Sequence, residues 1–329
     1  MNEELVLEDL ERLYGLNEGI YTMLMSKKVE AGMTRSAVIS DYSAFQSAGT
    51  VFKPIRPQTR KNYMKALFLG LLIPIGIIFL ITLNSNTILS LAELEELVDM
   101  PVIGVIGFSQ HSRTMLDAPK SLVSENFRSL RANMKYATGK NQHNVYLVTS
   151  SVSAEGKTYI SSNMAVSMAF QEKKTILIGA DMRKPSLHNY FNMDHDLGLS
   201  QYLIGEASLA EIVQKGGAPH LDVIFSGPVP PNPAELLSGK AMKELLNQLK
   251  EEYDAVFIDT PPIGLISDAS ELFNQSDTIL MVTRQQKTPV ATLQHIEHFI
   301  PQESLKKTML IFNSVKKGVG YGYYGYGYG

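Results

Sequence analysis

Residues 145–158 read VYLVTSSVSAEGKT, and this stretch decides the fold of the chain. The run begins with the apolar pattern of a buried strand, and Gly156, Lys157 and Thr158 then open a stretch with helical spacing. Strand, loop and helix in this order predict a phosphate-binding loop, because the backbone N–H groups of such a loop and of the helix start point at phosphate oxygens. Ser151 stands where the motif usually has its first glycine, so a chance Gly-Lys-Thr at a helix start is the alternative.

This loop predicts ATP with Mg²⁺ as its ligand. Lys157 would reach the β- and γ-phosphates, and Thr158 would offer its hydroxyl to the metal. The backbone on either side of these residues would contact the phosphates as well. The predicted nucleotide-binding residues of this segment are Ser153, Ala154, Glu155, Gly156, Lys157, Thr158 and Tyr159.

Two acids, Asp181 and Asp259, each lie just past another short apolar run. The carboxyl ends of parallel strands meet at one edge of a sheet, where such sheets bind their ligands. We therefore expect Lys157, Asp181 and Asp259 to be the catalytic residues, with both acids and Thr158 as metal ligands. Taken singly, each acid could be a solvated turn residue.

Short apolar runs rich in β-branched residues recur along the chain, with helical stretches between most of them. Because they are apolar on both faces, they predict a doubly wound α/β domain with a mostly parallel sheet, placed at residues 121–317. Residues 85–120 are expected to form a juxtamembrane linker with one acidic helical stretch and one short strand. The predicted strands are residues 101–106, 145–149, 175–178, 221–225, 255–258, 278–283 and 309–312.

Residues 66–83 read ALFLGLLIPIGIIFLITL, which is 18 residues without a charge. As a helix this run would span roughly 27 Å, close to the thickness of a membrane's hydrocarbon core, so we expect a transmembrane helix at residues 65–84. Its distance from the N-terminus argues against a cleaved signal sequence. A buried helix of a soluble protein is the alternative, which the lack of a polar face disfavours.

The two ends of the chain differ from the rest. Residues 1–64 begin with apolar positions at helical spacing, which predict an amphipathic helix that needs a second helix or subunit as its partner. Residues 318–329 end in GYGYYGYGYG, a composition typical of a flexible tail with no reason to fold. A disordered, adhesive end is the alternative to a functional tail.

The composition limits the classes of function. A net charge of −3 does not favour a nucleic-acid partner, which usually requires a clearly basic face. The sequence contains no cysteine, which removes disulfides, thiolate metal sites and cysteine nucleophiles. With 44% hydrophobic and 19% charged residues, the 329-residue chain can form a packed core.

Taken together, these motifs resemble the bacterial tyrosine kinases of capsule and exopolysaccharide export, the BY-kinases, which are related to the MinD and ParA ATPases. The resemblance covers nearly the whole chain. It rests on the order of the phosphate loop, the Asp181-x-Arg183 step and Ile-Asp259-Thr-Pro-Pro, on PNPAELL at 231–237, and on the tyrosine-rich tail. It implies that residues 1–64 are the end of an extracytoplasmic chain-length-regulator domain, and that the chain begins partway through that domain.

The resemblance further implies autophosphorylation between subunits of a ring-shaped homo-oligomer that regulates polysaccharide polymerisation and export. A tyrosine phosphatase and the polysaccharide polymerase and export machinery are the implied partners. Glu125, Arg128 and Arg131 match a Glu-x-x-Arg-x-x-Arg signature of subunit contacts, with a solvated charged face as the alternative. The implied phosphoacceptors are Tyr321, Tyr323, Tyr324, Tyr326 and Tyr328.

The same resemblance extends the nucleotide-binding set. Arg183 belongs to it through the second motif. Asn313, which follows the last predicted strand, matches a position that often contacts adenine in related ATPases. Arg284, which follows another strand, is a weaker candidate for that contact.

Gly179 departs from the family pattern. The second motif is typically Asp-x-Asp-x-Arg, and Gly179 replaces its first acid, which is implicated in activating the tyrosine hydroxyl. Either Asp181 takes both roles, or transfer relies on positioning and Mg²⁺, or kinase activity is reduced or lost. An ATPase switch of the MinD type and a polysaccharide co-polymerase scaffold are therefore the alternatives to a kinase.

The ATP site implies that residues 121–317 are cytoplasmic, and the resemblance implies that the apolar helix lies in the cytoplasmic membrane of a bacterium. The flanking charges indicate the opposite orientation, because the basic flank precedes the helix and the acidic flank follows it. We give the ATP argument precedence, since a membrane helix earlier in a longer chain could fix the orientation.

Overall fold

Eight strands form one sheet in the computed structural model, which describes residues 2–37, 58–83, 86–138, 144–194, 196–263, 270–296 and 299–316. They are β1 (Val102–Gly107), β2 (Asn144–Ser150), β3 (Thr175–Gly179), β4 (Val213–Lys215), β5 (Leu221–Ile224), β6 (Ala255–Asp259), β7 (Thr278–Arg284) and β8 (Thr308–Val315). Their order is β1-β8-β7-β2-β6-β3-β5-β4, and every neighbouring pair is parallel except β4 and β5. This confirms the predicted doubly wound, mostly parallel α/β architecture.

Helices connect most of these strands. Within the described residues they are α1 (Asn2–Ala37), α2 (Thr59–Leu83), α3 (Leu91–Leu97), α4 (Thr114–Asp117), α5 (Leu122–Thr138), α6 (Lys157–Ala169), α7 (Leu187–Phe191), α8 (Leu199–Ile204), α9 (Leu209–Ile212), α10 (Pro233–Ser238), α11 (Lys240–Glu252), α12 (Ser270–Gln275), α13 (Val290–Gln294) and α14 (Gln302–Leu305).

The apolar runs become strands because each can be buried on both faces. In β2, Val145 and Leu147 pack into the core on one side of the sheet, while Tyr146 and Val148 pack into the core on the other. The same alternation in β3, β6 and β7 covers the sheet with helices on both sides, as a buried parallel sheet requires.

The predicted start of this domain at residue 121 is too late. β1 pairs in parallel with β8 and forms an edge of the sheet. Ile88, Leu94 and Met115, all in the segment predicted to be a linker, are completely buried. Residues 86–120 therefore belong to the folded domain.

The order of the strands brings several strand ends together. Because β2 lies between β6 and β7, the loop that follows β2 lies near the middle of the sheet's carboxyl edge. Asp259, the last residue of β6, is in register with Val148 of β2 and with Gly179 of β3. Both predicted acidic motifs thus end beside the phosphate loop.

The chain divides into two units, residues 1–77 and 78–329. In the first, α1 confirms that the N-terminal segment is helical, but its apolar residues do not stay on one face over its whole length, and its described side chains are exposed. In the described part of the chain, residues 59–80 of α2 make one helix long and apolar enough to cross a membrane. The tyrosine-rich tail and residues 38–57 lie outside the described residues.

Candidate nucleotide site

The phosphate loop between β2 and α6 has an unusual backbone at two positions. Ala154 has a φ of 67°, and Gly156, which caps α6, has a φ of 98°. Glycine adopts such angles without steric cost. A Cβ at position 156 would also overlap the side-chain amide of Asn313, so the backbone needs glycine here for two reasons.

Two side chains from the neighbouring strands fix the carbonyl groups of this loop. Arg284 donates from Nη1 to the carbonyl of Ala154 at 2.9 Å, and Asn313 donates from Nδ2 to the carbonyl of Glu155 at 2.8 Å. A trans peptide directs its N–H opposite to its C=O. The N–H groups of Glu155 and Gly156 therefore face away from β7 and β8, as a phosphate cradle requires.

These contacts differ from the roles expected for Arg284 and Asn313. Both were candidates for contacting adenine, and both side chains bond to carbonyl groups of the phosphate loop. Asn313 is almost completely buried, at 4% exposure. An additional contact of either residue with adenine remains a prediction.

Glu155 lies inside the loop and is completely buried. Its carboxylate accepts hydrogen bonds from Ser151 Oγ at 2.7 Å, from the N–H of Val152 at 2.9 Å and from Thr288 Oγ1. Burial raises the pKa of Glu155, and these hydrogen bonds oppose the rise. Ser151, the departure from the usual first glycine, thus supplies a donor that glycine lacks.

Thr158 and Asp259 meet at the centre of the site. The hydroxyl of Thr158 donates to Asp259 Oδ2 at 2.7 Å. Burial raises the pKa of Asp259 to about 7, while the hydrogen bond from Thr158 and the charge of Lys157 act in the opposite direction. Three predicted site residues are therefore brought together.

A divalent metal fits this pair. Asp259 is 2% exposed, and its Oδ1 has no hydrogen-bond partner among the described residues. The donor set, a carboxylate oxygen and a hydroxyl, is the hard-oxygen type that Mg²⁺ prefers, and Mg²⁺ usually takes its remaining ligands from water and phosphates. Asp259 and Thr158 thus fit the metal, and the role of Asp181 as a third ligand remains a prediction.

Asp181 lies next to this pair and is half-buried. Its Oδ1 accepts from the N–H of Lys184 at 3.1 Å, which closes the turn after β3. Its charge contributes to the raised pKa of Asp259. Arg183, two residues further on, is exposed, and its predicted nucleotide contact remains a prediction.

Little space surrounds Gly179 at the end of β3. A Cβ there would lie 3.1 Å from Ser226 Oγ and 3.2 Å from Leu187 Cδ2. An aspartate at this position would require both neighbours to shift by a few tenths of an ångström. The packing is thus adjusted to the glycine.

Ser186 is a neighbour of the site that the sequence motifs did not indicate. Its Oγ lies 3.0 Å from the hydroxyl of Thr158, and the residue is exposed. It directly precedes α7 and lies five residues after Asp181, outside the motif, so only the fold brings it to the loop.

Tyr159 directs its side chain away from the loop. Its hydroxyl is 2.9 Å from Thr114 Oγ1, and its ring packs edge-on against Phe127 with the ring centres 5.6 Å apart. Burial raises the pKa of Tyr159. Its predicted contact with the nucleotide could therefore come only from its backbone N–H.

The predicted subunit-contact residues on α5 make contacts within the chain. Arg128 pairs with Glu125 and donates to the carbonyl of Pro119 at 2.7 Å. Arg131 donates to Ser167 Oγ at 2.9 Å and to the Ser167 carbonyl, and burial lowers the pKa of Arg131. Their role between subunits remains a prediction.

Comparison with known proteins agrees with this geometry. The AAA domain family matches residues 152–311. Tyrosine-protein kinase YwqD of Bacillus subtilis (strain 168) is 39% identical over 218 residues, which cover 66% of this chain and 92% of the relative. Tyrosine-protein kinase ptk of Acinetobacter johnsonii is 29% identical over 337 residues, covering 96% of this chain. The chain spans 46% of that relative's length.

A solved structure with the same fold supports the same relationship. The solved kinase domain of the Escherichia coli tyrosine kinase ETK is 30% identical in sequence and superimposes with a TM-score of 0.64. The match covers 72% of this chain and 98% of that domain. With its phosphate loop, its two acidic strand ends and its close relative in Bacillus, the chain belongs to the family of bacterial tyrosine-protein kinases.

Proposed function

We propose that this kinase transfers the γ-phosphate of ATP to the tyrosines at 321–328 of a neighbouring subunit. The observation that carries the proposal is the pairing of Thr158 with Asp259 at 2.7 Å, next to a loop in which the N–H groups of Glu155 and Gly156 face away from β7 and β8. Lys157 stands at the junction of loop and helix, in the position suited to the β- and γ-phosphates.

In the proposed reaction the phenol oxygen of a tail tyrosine bonds to the γ-phosphorus, and the bond from that phosphorus to the bridging oxygen of ADP breaks. When bound, Mg²⁺ neutralises charge on the β- and γ-phosphate oxygens. Lys157 and the loop N–H groups orient the transferred group. The phenol proton needs an acceptor, because the ordinary pKa of tyrosine is near 10.

Asp181 is the proposed acceptor of that proton. It is more exposed than Asp259, so an incoming side chain can approach it. Gly179 provides no carboxylate, and the crowding around it leaves no room for one without movement. In this proposal Asp181 serves both as a metal ligand and as the proton acceptor.

Modification of the tail would change how it binds. Each phosphate adds about −1.5 to −2 charge near neutral pH. Several on one tail repel each other and weaken its hold on an acidic site. We propose that this drives a cycle of ring assembly and release at the bacterial cytoplasmic membrane. A tyrosine phosphatase resets this cycle, which controls polysaccharide polymerisation and export.

The test is transfer of labelled phosphate from ATP to the full chain in detergent or nanodiscs. Lys157→Met should abolish labelling, and deletion of residues 321–329 should remove most of it. Lys306→Met is the matched control, because Lys306 is exposed just before β8, at the opposite end of that strand from the site. Wild-type chain that binds ATP but takes up no label would contradict the kinase proposal.

A second candidate is an ATPase switch without phosphoryl transfer to tyrosine. The packing around Gly179 favours it, since the site lacks the acid associated with activating the tyrosine hydroxyl. ADP release with no phosphotyrosine in the same assay would select this alternative. Failure of the chain to bind ATP at all would favour the remaining alternative, a scaffold for polysaccharide assembly.

A further inference from the structure

Residues 86–90, which we call the strap, form a short antiparallel pairing with residues 286–290. Ile88 at the centre of the strap is completely buried, and a bridge between Thr87 and Pro289 belongs to the same pairing. The main-chain hydrogen bonds run from Ile88 N to Thr288 O at 2.9 Å, from Gln286 N to Ile88 O at 2.8 Å and from Val290 N to Asn86 O at 2.9 Å.

The side chain of Thr288 leads from this pairing to the phosphate loop. Its hydroxyl accepts from the N–H of Arg284 at 2.7 Å and donates to Glu155 Oε1. Thr288 is completely buried, so no water competes for either bond. The strap thus holds the backbone of Thr288 in place, and the side chain of Thr288 in turn holds the phosphate loop.

Arg284 makes the second connection to the loop. Its backbone bonds to Thr288, and its side chain donates to the carbonyl of Ala154. Two consecutive loop residues, Ala154 and Glu155, are therefore bonded to Arg284 and Thr288, which are joined to each other by a hydrogen bond. Loss of the Thr288 hydroxyl would leave a buried carboxylate with one donor fewer, which is costly in a dry environment.

We propose that the strap is a positioning element for ATP, which acts through Thr288 and Glu155 to hold the phosphate loop in its binding shape. The inference rests on the proposed nucleotide-binding function.

The first test is Thr288→Val in the full chain, with Thr308→Val as the matched control. Both threonines are buried and donate a hydroxyl hydrogen bond, but Thr308 donates to the carbonyl of Ser304 at the far end of β8. We expect Thr288→Val to weaken binding of a fluorescent ATP analogue roughly ten-fold, with kcat at saturating ATP little changed. Thr308→Val should leave the affinity unchanged.

The second test addresses the strap itself. Ile88→Ala should also weaken ATP binding, whereas Ile212→Ala, an equally buried change at the end of α9 beside the edge strand β4, should lower only the melting temperature. If the strap acts through Thr288, the double variant Ile88→Ala/Thr288→Val should bind ATP about as weakly as one single variant. Multiplied losses would contradict the proposed connection.

Hydrogen exchange without nucleotide separates this inference from the kinase proposal. Amides of the loop at 151–156 should exchange faster in Ile88→Ala and Thr288→Val, and at the wild-type rate in both controls. This readout does not require ATP to bind. Unchanged exchange of the loop amides in both Ile88→Ala and Thr288→Val would overturn the inference, whatever the labelling assay shows.

Discussion

Asp259 makes the stability of the metal-free protein sensitive to pH. Burial raises its pKa from 3.8 to about 7. Since the folded-state pKa lies above the unfolded one, the contribution of this group to stability is complete below about pH 4 and is lost as the pH rises to about 7. Above that pH the folded protein without metal holds a buried charge.

We therefore predict that Asp259→Asn stabilises the metal-free protein at pH 8. The gain should be on the order of 4 kcal/mol, from the difference of about three pKa units, and should vanish near pH 4. Urea unfolding in the presence of a chelator at both pH values measures it. Asp254→Asn is the control, because that partly exposed carboxylate accepts from the N–H of Lys174 and has less to gain. A variant less stable than wild type at pH 8 would contradict the prediction.

At the scale of single residues, the sequence predicted which side chains form the site better than it predicted their hydrogen-bond partners. Thr158 and Asp259 meet as the motifs indicated, because parallel strand ends converge. The role of Glu155 was not predicted, since a loop glutamate is usually solvated and its partner Thr288 lies 133 residues away. Asn313 was expected at the base and is found on the loop, which only the register of β8 could reveal.

At the scale of elements, Asn163 joins three helices. It lies on α6 and is completely buried. Its Oδ1 accepts from the N–H of Met115 on α4 at 2.9 Å and from the hydroxyl of Tyr190 on α7 at 3.0 Å, while its Nδ2 donates to the Tyr159 carbonyl at 2.8 Å. The helix that begins at the phosphate loop is thereby fixed to its neighbours.

We predict that Asn163→Ala lowers the free energy of unfolding by about 3 kcal/mol, because it leaves buried donors of α4 and α7 without an acceptor. Ser162→Ala is a control on the same helix, since the buried Ser162 hydroxyl has no partner among the described residues. That change should be neutral or slightly stabilising. Urea denaturation of both variants is the measurement, and equal losses would contradict the assignment.

The elements that the sequence analysis missed are short and weakly apolar. β4 has three residues, two of them polar, and it pairs at the edge of the sheet, so no apolar run marks it. α4 has four residues in a polar stretch, where only Met115 and Thr114 become buried. Six of the seven predicted strands, in contrast, are apolar and almost fully buried, which the sequence shows directly, and the seventh, β1, is partly buried at the edge of the sheet.

At the scale of the whole molecule, the position of β1 defines the smallest folded unit. We predict that a chain beginning at residue 86 folds cooperatively, whereas one beginning at residue 121 aggregates. The shorter chain exposes the edge of β8 and loses Ile88, Leu94 and Met115, each worth roughly 1.5–3 kcal/mol of burial. That loss is comparable with the whole stability of a typical domain. Circular dichroism melts and size-exclusion profiles of both chains test it, and two equally stable monomers would contradict it.

Because β8 runs parallel to β2, it ends at the same edge of the sheet as the phosphate loop. This position determines which sites the tail tyrosines can reach. β8 ends at Val315, two strands across from the phosphate loop on the same edge, or roughly 10 Å away. Counted along the sequence, a fully stretched chain from Val315 reaches about 20 Å at Tyr321 and about 45 Å at Tyr328. Under the proposed function, the tail tyrosines would therefore be within covalent reach of the phosphate loop of their own chain as well as that of a neighbouring subunit. Whether a tail tyrosine reacts at its own site or at that of a neighbouring chain would then depend on how densely the chains are packed in the membrane.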